Sequence, residues 1–219
     1  MLFDVNHCLS ISFDLFPYRP MTSWRDRFNR MSGKTQITVC RIFIHLAGRE
    51  VAPLLGVLNQ AAQEAMDSEG EMQVLGEGLV QICESLLQYD TYWQSAANEG
   101  DVFWDEGDAD DYVTELFTDS AQRYGTAWDG ETDTEAEELL LPVTENLVVM
   151  LTVAYEGSAD ALETDLGNMT ALRAGLKTLI NLHYAGRLRA IQVHFSPARL
   201  GDELTSDQLL LNFPELVPL

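Results

Sequence analysis

Basic residues are scarce in this chain. Among its 219 residues, 13 Lys and Arg stand against 35 Asp and Glu, a formal charge of -22. Such a balance excludes bare nucleic acid as an expected partner, because phosphate recognition rests on Lys and Arg displacing counterions. Anionic membrane surfaces are disfavoured on the same ground. Cysteine is also sparse: Cys8, Cys40 and Cys83 are widely spaced, odd in number and form no CxxC pair. That excludes a disulfide framework and fits a reducing compartment, with thiols used as small apolar residues. No run reaches the roughly 18 apolar residues a membrane-spanning helix needs. Asp4 and Asp14 interrupt the layout of a secretory signal. A soluble, cytoplasmic protein is the expectation.

Catalytic signatures are missing too. There is no GxxxxGK[ST] phosphate loop, no GxSxG elbow and no HExxH pair. Gly76-Glu77-Gly78 begins like a dinucleotide fingerprint, but Gln81 holds the third glycine place and no strand is expected before it. Asp129, Glu131 and Asp133 alternate like calcium ligands, yet Thr134 stands where the loop glycine belongs and Leu140 where the bidentate glutamate belongs. Residues 105–111 also fail that spacing. Neither a metal nor a cofactor is expected.

What is present is enough for a core: 46% of the residues are hydrophobic. Residues 1–35 read as an N-terminal arm, broken by Pro17 and Pro20, and a candidate for self-association. Residues 36–219 read as a single α/β domain with an acidic insertion at about 99–142. The first 34 residues hold five basic and three acidic side chains; the remainder holds eight and 32, a net -24. From 99 to 138 there are 15 acidic residues and one basic one, Arg123.

Periodicity predicts a strand over 37–46, then helices over 50–66 and 71–87 with apolar residues at three- and four-residue steps. Pro53 suits the first helical turn. Tyr89, Tyr92 and Trp93 are placed in a connecting turn, and 110–124 as a third helix. Residues 146–155 are apolar on both faces, the mark of a strand buried on both sides. A helix follows over 168–184, with Gly186 as its C-cap, then a strand over 187–195. A short helix holding Leu209, Leu210 and Leu211 closes the chain, capped from Thr205, Ser206 and Asp207. The fold expected is α/β: a small sheet of about three strands covered by helices, in the order strand-helices-strand-helix-strand-helix, with the acidic insertion.

Two constellations stand out. Tyr92, Trp93, Phe103 and Trp104 border the carboxylates Asp105, Glu106, Asp108, Asp110 and Asp111. An aromatic patch ringed by carboxylates suits docking to a basic protein surface. The alternative is a small-molecule or metal-dependent enzyme with its site at strand ends near His45 and His194.

The run Glu145-Asn146-Leu147-Val148-Val149-Met150-Leu151-Thr152-Val153-Ala154-Tyr155-Glu156-Gly157 resembles the second strand of a cyanobacterial and chloroplast family, domain of unknown function 1517. Gly186-Arg187-Leu188-Arg189-Ala190-Ile191-Gln192-Val193-His194-Phe195-Ser196-Pro197 sits where that family has a strand ending in a tryptophan-threonine-proline turn. Gly201-Asp202-Glu203-Leu204-Thr205-Ser206-Asp207-Gln208-Leu209-Leu210 is similar to its most distinctive stretch. The likeness covers roughly 36–95 and 143–219, and the plant fluctuating-light acclimation protein resembles the same family. It implies an organism with photosynthetic membranes and a role in assembling or regulating their complexes. The location implied is the cyanobacterial cytosol or chloroplast stroma, with peripheral thylakoid association through a partner. The hydrophobic, Gly-rich N-terminal membrane segment of that family is not found here, so anchoring is not carried over. No catalytic residue is carried over either.

Overall fold

A computed structural model describes residues 36–125, 145–197 and 204–219. The expected arm, the candidate calcium residues of 129–140 and His7 lie outside these. Within them, β1 (Ile37–Ala47) is the axis of a five-stranded antiparallel sheet. Its sequence, ITVCRIFIHLA, is rich in β-branched residues and nearly all of it is buried. It is flanked by β2 (Trp93–Phe103) and β3 (Asn146–Glu156), beyond which lie β5 (Val217–Pro218) and β4 (Leu188–Ser196), giving the order β4-β3-β1-β2-β5.

The period of two divides the sheet into unlike faces. Cys40, Ile42, Ile44 and Leu46 of β1 share one face with Leu147, Val149, Leu151, Val153 and Tyr155 of β3. Three helices cover this face: α1 (Ala52–Asp67), α2 (Met72–Gln88) and α4 (Met169–Tyr184). Ala61, Ala62 and Ala65 on α1 and Gly78 on α2 let these two helices approach closely. The left-handed turn between them uses Glu69 and Gly70. Asn168 caps α4, accepting from the N–H of Ala171 at 2.9 Å. Gly186, at φ 63°, ends it as expected.

The opposite face carries α3 (Glu106–Gly125) and α5 (Ser206–Asn212). Ala109, Val113 and Leu116 of α3 pack on Ile37, Val39, Ala154 and Ala190. Phe213, just after α5, packs with Leu204 on Phe43, Val148 and Met150. A capping box between Thr205 and Gln208 starts α5.

The expected count of about three strands is too low. β2 lies where a connecting turn and the start of the acidic stretch were expected. Its sequence, WQSAANEGDVF, has a single β-branched residue, Val102, and alternates poorly. Pairing with β1 makes it a strand: from Phe103 opposite Ile37 to Ala96 opposite Ile44 the register runs unbroken. Gly100 permits this approach, since a Cβ there would lie 2.2 Å from the carbonyl oxygen of Val39. The two-residue β5 adds to the edge of β2. Up to residue 125, therefore, the acidic stretch supplies a strand end and a helix of the fold.

Candidate functional site

Seven of the nine residues singled out for docking lie together, and two do not. Phe103 ends β2 and packs on Tyr112 of α3, ring centroids 5.2 Å apart. Trp104 follows with 56% of its surface exposed. The side chain of Asp105 accepts from the N–H groups of Gly107 at 2.9 Å and Asp108 at 3.3 Å, so it caps α3. Glu106 and Asp108 sit in the first turn, where carboxylates favour the helix dipole. Asp111 is exposed and Asp110 half-buried. Tyr92 and Trp93 stand at the other end of β2, about 33 Å away by strand rise. There Trp93 is a core residue, 5% exposed, and Tyr92 packs near Tyr89. The separation follows directly from β2 being a strand instead of a connection.

The acidic surface is backed by a network that the sequence reading missed. Arg41, 2% exposed, points from β1 toward α3. Its Nε donates to Glu99 Oε1 at 2.7 Å, and its Nη1 donates to the Leu116 carbonyl at 3.0 Å and Ser120 Oγ at 2.9 Å. Nη1 also lies 2.7 Å from Asp119 Oδ2. Arg123 meets the same Asp119 carboxylate and reaches the Asn212 carbonyl and Glu215. Both guanidinium groups lie over the Phe43 ring, at 4.8 and 5.4 Å from its centroid. Burial alone would raise the Asp119 pKa, but hydrogen bonds from Arg41 and Arg123 overrule it and hold the carboxyl below its ordinary value. A lone arginine in an otherwise apolar strand was the available signal. One further sequence fact gains meaning here: between Arg49 and Arg123 there is no Lys or Arg. The 73 residues between them hold no cation of their own, and those that meet Asp90, Glu99 and Asp119 come from outside the stretch: Arg173, Arg41 and Arg123.

His45 and His194 share the face under α3 and α5. They are not adjacent: β3 runs between them, with Val148 opposite His45 and Met150 opposite His194. Strand spacing and stagger put them about 12 Å apart. Both ring nitrogens of His45 are engaged, Nδ1 with Ser95 Oγ and Nε2 with Asn146 Oδ1, each at 3.1 Å. Burial lowers the pKa of His45 although Asn146 opposes the shift. His194 packs against Phe117, centroids 5.5 Å apart. Burial, helped by the Arg41 charge, pushes its pKa down to about 4. Among the described residues no group of three His, Cys, Asp or Glu could hold a metal ion. Cys40 and Cys83 are buried; burial, with Glu99 and Glu163 adding to it, pushes the Cys40 thiol up to about 12, and burial also raises that of Cys83. Gly76 and Gly78 lie inside α2 with no strand before it, so no phosphate-binding turn exists there. No described helix is long and apolar enough to cross a membrane.

No curated protein and no solved structure matches the chain. A model of a family described as proteins of unknown function, DUF1517, matches residues 36–219, and the chain belongs to that family.

Proposed function

We propose that this protein is a non-catalytic docking factor that recognises a basic protein surface where β2 hands over to α3. The observation that supports it best is Trp104, more than half exposed, beside the exposed carboxylates Asp101, Asp105, Glu106, Asp108 and Asp111. Val102, 37% exposed, extends the apolar centre. A rigid indole gives large contact area at small entropic cost, and such residues anchor interfaces. The surrounding carboxylates steer a cationic partner and set its orientation. The photosynthetic setting implied by the sequence resemblance makes extracts of photosynthetic membranes the first source of partners to try.

Deleting the whole acidic stretch would remove part of β2 and all of α3, so point variants are the sound test. Asp105 is left intact as the cap of α3. The variant Trp104→Ala/Glu106→Gln/Asp108→Asn/Asp111→Asn is compared with wild type in affinity capture across a salt series. The expected result is a partner held by wild type, released as salt shortens the Debye length well below about 10 Å, and bound at least about tenfold more weakly by the variant. Identical partners and identical salt profiles for both proteins would refute the proposal.

A further inference from the structure

Antiparallel pairing decides which backbone groups of β4 face outward. Gly157 donates its N–H to the Gln36 carbonyl, and Gly48 donates to that of Glu145, each at 2.8 Å. The odd-numbered residues of β3 therefore bond to β1 and the even-numbered ones to β4. With Thr152 opposite Gln192, it is Ala190, Gln192, His194 and Ser196 that exchange bonds with β3. The N–H and C=O groups of Ile191, Val193 and Phe195 point the other way. Among the described residues β4 has no strand on that side. It is nine residues long and lacks proline and lysine, two of the devices that blunt a sheet edge.

The two faces beside this edge differ in what they ask of an added strand. On one, Ile191, Val193 and Phe195 line an apolar cleft together with Ala61, Ala62 and Ala65 of α1. On the other, Gln192 is 4% exposed, yet its Oε1 has no hydrogen-bond partner among the described residues. The edge thus offers an open backbone ladder, a cleft for apolar side chains and a buried acceptor. A strand that fits all three alternates apolar residues with hydroxyl donors.

The chain carries such a segment in its own arm: Leu9-Ser10-Ile11-Ser12-Phe13-Asp14-Leu15 alternates without a break, and Pro17 follows. We propose that residues 9–15 add to β4 of the same chain as a further antiparallel strand, with Ile11 opposite Val193. Leu9 and Phe13 then stand opposite Phe195 and Ile191, on the side of the cleft. Ser12 stands opposite Gln192 and donates to its Oε1. This direction brings Leu15 to the Leu188 end of β4. Gln36 begins at that same end, because Glu156 pairs with Ile37 and donates its N–H to the Arg187 carbonyl. Three strand spacings, about 14 Å, separate the added strand from β1. Residues 16–35 span that distance several times over. A second copy pairing edge to edge is the poorer occupant, since it would bring together two chains of formal charge -22.

The test traps this register in the full chain. The background is Cys8→Ser, in which the remaining Cys40 and Cys83 are buried. Ser12→Cys/Gln192→Cys places two thiols at a directly opposite, non-hydrogen-bonded pair, about 4.5 Å between Cα atoms, within reach of a disulfide. Ser10→Cys/Gln192→Cys is the diagonal control, at about 7–8 Å. Expected on mild oxidation is an intrachain disulfide in the first protein, at a yield independent of protein concentration, and at least about tenfold less in the second. Hydrogen exchange gives a readout without new thiols: Ile11→Asp/Phe13→Asp should speed exchange at the Val193 and Phe195 amides at least about tenfold, with β1 unchanged. A disulfide joining two chains would put the strand in a second copy and overturn the assignment. Equal yields from the two cysteine pairs, no disulfide in either, or unaltered exchange at Val193 would overturn it as well. None of these readouts depends on a partner captured through Trp104.

Discussion

Toward α1, α2 and α4, strands β1 and β3 present an unbroken apolar face, from Cys40 through Leu46 and from Leu147 through Tyr155. Toward α3 and α5, the same strands present Arg41, His45 and Thr152 among Val39, Phe43, Val148, Met150 and Ala154. One row crosses the sheet as Glu99, Arg41, Thr152 and Gln192, each opposite the next. The two helical layers are therefore held by different physics. Area removed from water holds α1, α2 and α4, roughly in proportion to that area. Among the described residues of α3, the buried apolar anchors are Ala109, Val113 and Leu116, and the helix relies on directional links from Arg41 to its Leu116 carbonyl, Asp119 and Ser120. A buried guanidinium is tolerable there because two carboxylates and two oxygen acceptors meet it. Among the described residues, the helix that carries the docking residues thus buries fewer apolar side chains than α1, α2 or α4.

Equal truncations on the two faces put numbers on that contrast. Leu176→Ala, in α4 and fully buried, is expected to cost about 3–4 kcal/mol in chemical denaturation, within the usual range for a rigid cavity. Leu116→Ala, in α3 and also buried, is expected to cost about 2 kcal/mol, because a surface helix on a polar face settles into the gap. Losses within about 0.5 kcal/mol of each other would erase the distinction in packing.

Titration separates the faces further, since the imidazoles of β1 and β4 lie on the polar one. His194 has a folded pKa of about 4, below the ordinary value near 6.5. Between these values the unfolded chain binds a proton that the folded chain refuses, so stability rises with pH across this window. The contribution is complete at pH 7 and is lost as pH falls from about 6.5 toward 4. At pH 4.5 the loss assignable to His194 is about 2 kcal/mol. His45, also lowered by burial, adds in the same direction. The comparison that isolates His194 is the pH profile of wild type against His194→Gln. Parallel profiles between pH 7 and 4.5 would show that His194 accepts its proton in place.

The apolar face was the legible one. Strands at 37–46, 146–155 and 187–195 and helices at 50–66, 71–87 and 168–184 announce themselves by period, because burial of area leaves a pattern in the residues that are buried. Pro53, Gly186 and the Thr205 cap mark their ends for reasons of backbone geometry alone. β2 was illegible because its pairing is imposed by its neighbour: Ala96 and Ala97 face inward, and Gly100 is there to let Val39 come close. Placing Tyr92 and Trp93 in a connecting turn just before the acidic stretch sets them beside Phe103 and Trp104, when a strand length separates them. The exposed end at Trp104 was readable from the density of carboxylates around an aromatic residue. The Arg41 network was not, since its acceptors come from β2 and α3, 58 to 79 residues away.

The smallest effect comes from the middle of the polar row. Thr152 is 1% exposed, paired with Arg41 on one side and Gln192 on the other, yet its Oγ1 has no hydrogen-bond partner among the described residues. Arg41 directs its donors to Glu99, Asp119, Leu116 and Ser120, and none of these bonds reaches Thr152. A buried hydroxyl without a partner carries its desolvation cost uncompensated. Valine has nearly the same shape and no hydroxyl, and its β-branching suits a central strand. Thr152→Val is therefore expected to raise stability by about 0.5–1 kcal/mol, read as a higher denaturation midpoint at unchanged slope. A loss of stability would mean that the hydroxyl is satisfied in solution and that the row Glu99-Arg41-Thr152-Gln192 acts as one continuous polar network beneath α3. The two faces would then differ more sharply than burial alone indicates, because the polar one would hold no unpaired group at its centre.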